Sequence, residues 1–130
     1  MYYHYIFRTY KGKSCLLGRE FKDKLSFEFK QVAKDKGFEL IEHSILEDHV
    51  HLLIRQNMND TTNYVMRMFK GISARRFFQE YPSNRYEYRK LWSRGYFFRR
   101  LKEAEVPAVV KYIRNQIGTD GYDKRYFKIS

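Results

Sequence analysis

The sequence predicts an α+β sandwich of the ferredoxin-like, split βαβ type: an antiparallel four-stranded sheet with two helices on one face, and a further helix at the C-terminal end. Three observations carry this expectation. Period-two apolar patterns alternate with period-3.6 patterns in the order strand, helix, strand, strand, helix, strand. Only Glu47-Asp48 separates the second and third strand patterns, a break short enough for a hairpin and hence for antiparallel pairing. Finally, 130 residues with 43% apolar content and no Pro-, Gly- or Ser-rich divide suit one core rather than two.

Each element has its own warrant. From Tyr2 to Tyr10, YYHYIFRTY is dense in β-favouring aromatics; it sets Tyr3, Tyr5 and Phe7 on one face and His4, Ile6 and Arg8 on the other. Between Arg19 and Lys36, Phe21, Leu25, Phe29, Val32 and Ala33 recur at helical spacing, and Gly37 is a natural stop. FELIEHSIL, from Phe38 to Leu46, and HVHLLIRQ, from His49 to Gln56, alternate as strands. Asp60-Thr61-Thr62 can cap a helix that buries Val65, Phe69 and Ile72 and ends at Pro82. SNRYEYRKLWSR, from Ser83 to Arg94, reads as a basic, aromatic loop, and GYFFRRL, from Gly95 to Leu101, as the fourth strand. Pro107 suits the first turn of a last helix, about residues 106–117, with Val106, Val109, Val110, Ile113 and Ile117 as its stripe and Gly118 as its end. The chain thus reads as a single domain, 1–130, in the βαββαβ order of RRM-like sandwiches, with the second sheet face expected to be open.

Composition narrows the class. A 32% charged fraction, with no apolar run near the ~20 residues that span a bilayer, argues against a membrane protein. The start, MYYHYIFRTYKGK, lacks the apolar core of a signal peptide, so a cytoplasmic location is expected. Cys15 is the lone cysteine and offers neither an internal disulfide nor a thiolate pair.

Charge is more informative. The formal net of +11 is uneven: residues 1–60 hold 10 Lys/Arg against 9 Asp/Glu, a net of +1, and residues 61–130 hold 16 against 6, a net of +10. Cations crowded among Tyr, Phe and Trp suit a polyanion with stackable bases, so nucleic acid is the leading partner; a merely solvated basic surface is the alternative. Candidate contacts on the second helix are Arg67, Lys70, Arg75 and Arg76. The loop adds Arg85, Arg89, Lys90 and Arg94, with Tyr86, Tyr88 and Trp92 as stacking platforms, although an aromatic as large as Trp92 can equally serve by packing. Arg99 and Arg100 on the fourth strand and Lys111 and Arg114 on the last helix complete the set.

The chemistry centres on EDHVHLL. Alternation along a strand projects His49 and His51 from one face, while Val50, Leu52 and Ile54 point toward the helices. Two imidazoles so placed can chelate one cation, but an H-x-H taken alone reads more readily as two half-exposed histidines on a polar sheet face. A third ligand would have to come from afar. In YIRNQ, Tyr112 and Gln116 stand at i and i+4 beside the apolar stripe, so a carboxamide oxygen lies one helical turn from a phenol. Two imidazoles and one carbonyl oxygen with open positions suit Mg²⁺ or Mn²⁺ better than a closed zinc site. Tyr112 could then attack phosphorus, its pKa of ~10 demanding help from a metal or from Lys111 and Arg114; by spacing alone it is one surface aromatic among twelve tyrosines. Asp48 could orient an imidazole, but a turn residue is the simpler reading; His4 and His43 receive no role.

Taken together, DHVHLL, FKGISARRFF, LWSRGYFF and YIRNQ resemble, in order and approximate spacing, the small single-tyrosine HUH transposases, the TnpA-type proteins of insertion sequences that move as single-stranded DNA. The resemblance implies that His49 and His51 are the HUH pair, Gln116 the helix-borne third metal ligand, and Tyr112 the nucleophile that joins to a DNA 5′ phosphate. It also implies strand transfer without ATP, single-stranded DNA hairpins as partners, and a homodimer whose tyrosine helix can act in trans. One departure is visible: Arg99, Arg100, Leu101 and Lys102 stand where the family commonly has small or polar residues. A non-catalytic RRM-like binding module and a domesticated HUH nickase are the rival readings.

Overall fold

The computed structural model describes residues 1–13, 16, 18–116 and 128–129, apart from the side chains of 86–88 and 128–129. Cys15, Ile117 and Gly118, and the side chains of Tyr86 and Tyr88, lie outside the described residues. The chain runs β1 (Tyr2–Arg8), α1 (Arg19–Lys36), β2 (Glu39–Ile45), β3 (His49–Arg55), α2 (Thr62–Glu80), α3 (Pro82–Tyr88), β4 (Phe97–Leu101), α4 (Val106–Arg114) and β5 (Lys128–Ile129). Short 3₁₀ turns at Tyr10–Gly12 and Glu103–Glu105 follow β1 and β4.

All pairings are antiparallel, in the order β2-β3-β1-β4-β5. The expected split βαβ sandwich is therefore present, with the two-residue strand β5 added at the edge. Neither α1, between β1 and β2, nor the α2–α3 pair, between β3 and β4, joins neighbouring strands; each connection crosses the sheet and supplies a covering helix.

The main core fills the space between the sheet and these helices. Tyr5 and Phe7 of β1 and Val50, Leu52 and Ile54 of β3 meet Leu25, Phe29 and Val32 of α1 and Val65, Phe69 and Phe77 of α2. Gly37 ends α1 in the left-handed region, at φ 78°, where a side chain would be strained. Thr61 begins α2, its hydroxyl accepting from the Tyr64 amide at 3.1 Å.

The structure corrects three expectations. Pro82 does not merely end α2; at the first position of α3 it starts a new helix, where its missing N–H costs nothing, so the expected loop of residues 83–94 is helical through Tyr88. The α4 helix stops at Arg114, short of the expected residue 117. The second sheet face is covered rather than open, because α4 lays Val109 and Ile113 on Leu53 and Leu101, with Val106, Val110, Tyr2 and Ile41 at the margins. The apolar stripe of α4 needs burial, and these strand residues are an apolar part of that face, which also holds Ile6 and Phe97.

Candidate active site beneath the C-terminal helix

His49 opens β3 directly after the hairpin turn, and His51 follows on the same face. Both are sealed, at 4% and 0% exposure, with Tyr112 of α4 against His51, which replaces the half-exposed pair expected on an open sheet. The rings stand 5.1 Å apart between centroids. Asp48 lies in the turn and also holds a ring: its Oδ1 is 2.8 Å from His49 Nδ1. A carboxylate only accepts, so Nδ1 carries the proton and His49 Nε2 presents its lone pair.

Sequence reading gave His4 no role, yet it belongs to this cluster. The β1–β3 register sets Ile6 opposite His51 and His4 opposite Leu53, so His4 shares the histidine face two residues along. Its Nε2 lies 3.0 Å from His51 Nδ1, and the centroids are 5.2 Å apart. The signal was present in the strand alternation, which placed His4 opposite Tyr3, Tyr5 and Phe7; what was missing was the knowledge that β1 lies beside β3.

Tyr112 comes from α4. Its ring centroid is 5.8 Å from that of His51 and 6.0 Å from that of His4, both edge-on, and the residue is 38% exposed. Phenol and imidazoles of one chain thus meet without a partner copy. Gln116 lies just past the end of α4; its amide donates to Ile113 O at 3.2 Å, and the residue is buried at 8% exposure. The strict helical i, i+4 relation to Tyr112 is replaced by this tighter closing turn.

Burial decides the protonation states. It pulls the His51 pKa down to about 2, with His4 and His49 adding to the effect. His4 falls to about 3, through burial and then the charge of Arg99. Both rings are neutral at physiological pH, the form that binds metals. Burial also raises Tyr112 above the ordinary phenol value, so its hydroxyl keeps its proton until something else removes it.

Among the described residues, no group of three His, Cys, Asp or Glu side chains could hold a metal. The histidine donors nevertheless suit a hard divalent ion with open positions: both Nε2 atoms are withdrawn from solvent and His49 is oriented through Nδ1, while Gln116, buried just past the end of α4, carries the carboxamide oxygen that sequence reasoning adds as a third donor.

The cationic candidates divide into several groups. Arg75, Arg85, Arg89 and Lys90 line one open groove between α2 and α3, over the layer opposite α4. Arg67 and Arg94 flank a second groove that shares Lys70 and Gly71 with the first. Lys70 is employed internally, its ammonium donating to Ser93 O at 2.8 Å and Gly95 O at 2.6 Å, and burial lowers its pKa to about 8. Arg76 faces the buried carboxylate of Glu28 at 3.5 Å. Trp92 is a core residue rather than a stacking platform, at 6% exposure, with its ring 4.7 Å from Phe7 and its Nε1 donating to Ser73 Oγ. Near the histidine layer, Arg99 pairs with Glu105 at 2.7 Å and Arg114 with Glu42 at 2.6 Å, and Lys111 is exposed; Arg100, opposite Tyr3, is exposed on the other sheet face.

Comparison with known proteins gives consistent matches. A family model described as "Transposase IS200 like" matches residues 1–116. The ISDra2 transposase TnpA of Deinococcus radiodurans is 30% identical over 116 residues, covering 88% of this chain and 82% of that protein. A crystal structure of a candidate transposase from D. radiodurans R1 superposes with a TM-score of 0.73 at 28% identity, covering 89% of this chain and 90% of the other. The REP-associated tyrosine transposase, solved bound to a REP hairpin, shares the fold at a TM-score of 0.60 and 16% identity, over 86% of this chain and 63% of its own.

Proposed function

This chain belongs to the family of IS200-like transposases, and on that premise we propose that it cleaves and rejoins single-stranded DNA at hairpin-marked element ends through a covalent 5′-phosphotyrosine at Tyr112. The observation that supports this reading most is the convergence of Tyr112 with His49 and His51, three residues brought from a strand and a distant helix into one cluster.

In the cleavage step the Tyr112 phenol loses its proton and its oxygen bonds to phosphorus; the P–O3′ bond breaks, and O3′ departs as a hydroxyl after taking up a proton. In the rejoining step the 3′-hydroxyl of a second strand gives up its proton and attacks the phosphotyrosine, and Tyr112 is released as a phenol. One phosphodiester is exchanged for another with no loss to water, which is why no nucleotide cofactor is required. A divalent ion, Mg²⁺ or Mn²⁺, held by His49, His51 and Gln116 would supply Lewis acidity at the scissile phosphate. Asp48 keeps His49 in the ligating tautomer, and α4 carries Tyr112 to the same place while excluding bulk water from the imidazoles. A bare binding module has no use for a sealed imidazole pair, and its sheet face would be open to bases rather than covered by a helix.

The test is an adduct assay. Hairpin-bearing single-stranded DNA and Mn²⁺ or Mg²⁺ should give a denaturation-resistant protein–DNA band with the native chain and none with Tyr112→Phe; equal yields would remove Tyr112 as the nucleophile. His49→Ala should reduce cleavage by ~100-fold or more while hairpin affinity changes little, because affinity resides in the cationic grooves.

A further inference from the structure

We propose that His4 is a positioning residue: its Nε2 accepts the Nδ1–H proton of His51 and thereby holds His51 in the tautomer that offers Nε2 to a divalent cation. The inference rests on reading His49 and His51 as metal ligands and adds to it the group that orients the second of them.

The geometry carries the argument. A neutral imidazole has one N–H and one lone pair, and whichever nitrogen is engaged as a donor leaves the other as the ligand. His49 has this arrangement through the Asp48 carboxylate at 2.8 Å. His51 has no adjacent carboxylate in sequence, its neighbours being Val50 and Leu52. The atom facing its Nδ1 is His4 Nε2, at 3.0 Å, in a bond between two buried rings from different strands. If His51 donates, its own Nε2 carries no proton and lies on the same strand face as that of His49. With the direction reversed, the proton would sit on His51 Nε2 and block coordination. His4 lies on the Nδ1 side of His51, away from the coordinating nitrogen, so it acts through His51 and is not itself a ligand.

His4 also touches the nucleophile's helix, its ring lying edge-on to Tyr112 with centroids 6.0 Å apart. One side chain therefore contacts both halves of the site, the strand that binds the ion and the helix that brings the phenol.

Two substitutions in the full-length chain separate orientation from packing. His4→Phe keeps a ring beside Tyr112 but removes the acceptor; His4→Gln replaces the acceptor at the position of Nε2. The first readout needs no metal: nitrogen-15 correlation spectra of histidine-labelled protein report which nitrogen of His51 carries the proton. The native chain should show Nδ1–H at His51, His4→Phe should populate Nε2–H, and His4→Gln should restore the native pattern. The second readout is Mn²⁺ affinity by electron paramagnetic resonance, expected to weaken ~10–100-fold in His4→Phe and to recover most of that loss in His4→Gln. An Nε2–H tautomer of His51 in the native, metal-free chain would overturn the proposal, as would a folded His4→Phe chain that keeps both tautomer and affinity. Should His4→Phe not fold, the native tautomer and the His4→Gln spectra still decide. A native chain that binds no Mn²⁺ would count against the ligand reading, while the tautomer would continue to report on His4 by itself.

Discussion

His51 owes its neutrality to where it is, and that has a measurable price in acid. His4 and His51 hold their protons far less tightly in the folded chain, at about 3 and about 2, than at the ordinary histidine value. As pH falls below ~6.5 the unfolded chain therefore takes up protons that the folded chain refuses, and stability declines with falling pH, whereas above ~6.5 neither state is charged there and this contribution is flat. Each pH unit costs up to ~1.4 kcal/mol per ring, so between pH 7.5 and pH 5 the metal-free protein should lose up to about 4 kcal/mol. Urea unfolding at the two pH values checks this; equal midpoints would mean that the rings are charged inside the fold or reached by water. At this scale the sequence disclosed residue types and faces but not cross-strand partners. His49 and His51 could be placed from alternation, whereas the bond between His4 and His51 joins residues 47 positions apart and becomes visible only once β1 is known to lie between β3 and β4. Trp92 stands open between stacking on DNA and packing in the sequence for a related reason: its size suits either, and only the fold supplies Phe7, Phe29 and Ser73 around it.

Among the elements, α1 was legible to both ends, because an apolar stripe and a terminal glycine agree. The α3 helix is not legible in the sequence because its seven residues, PSNRYEY, are too few to show an apolar period, and Pro82 can end one helix or begin the next. The α4 helix was found, but its docking was not, since an apolar stripe says that a face must be buried and not against what. The structure shows how the chain enters α4: Glu105 accepts from the Lys102 amide at 2.9 Å through Oε1 and from Arg99 Nη2 at 2.7 Å through Oε2. The Arg99 side chain thus ties the connector back to β4. Glu105→Ala should loosen that attachment, and hydrogen exchange followed by mass spectrometry should show α4 amides exchanging several-fold faster with α1 and α2 unchanged. Equal protection would mean that the Val109 and Ile113 contacts alone hold the helix.

For the whole molecule, the antiparallel α+β sandwich followed from the βαββαβ alternation and the hairpin, while the strand neighbours and the separation of charge from chemistry could not be read in advance. Arg75, Arg85, Arg89 and Lys90 gather on the helix side of the sheet, and the histidines lie beneath α4 on the other. Binding and cleavage should therefore be separable. Replacing Arg75, Arg85 and Arg89 together with alanine should reduce the slope of log affinity against log salt by up to ~0.7–0.9 for each phosphate that no longer meets an arginine, with little change in the cleavage rate of saturated complexes. Fluorescence anisotropy across a salt series measures the slope; an unchanged slope would move the DNA footprint elsewhere.

The sheet carries a broad, aromatic-filled adhesion on one side and a narrow one, centred on Leu53, Leu101, Val109 and Ile113, on the other. His49 Nε2 and His51 Nε2, the nitrogens proposed to hold the ion, are shut away from water on that narrower side. On the proposed function, a displacement of the short helix that opened a path to them would move Tyr112 as well, so that charging the site with metal and freeing its phenol would be one mechanical event.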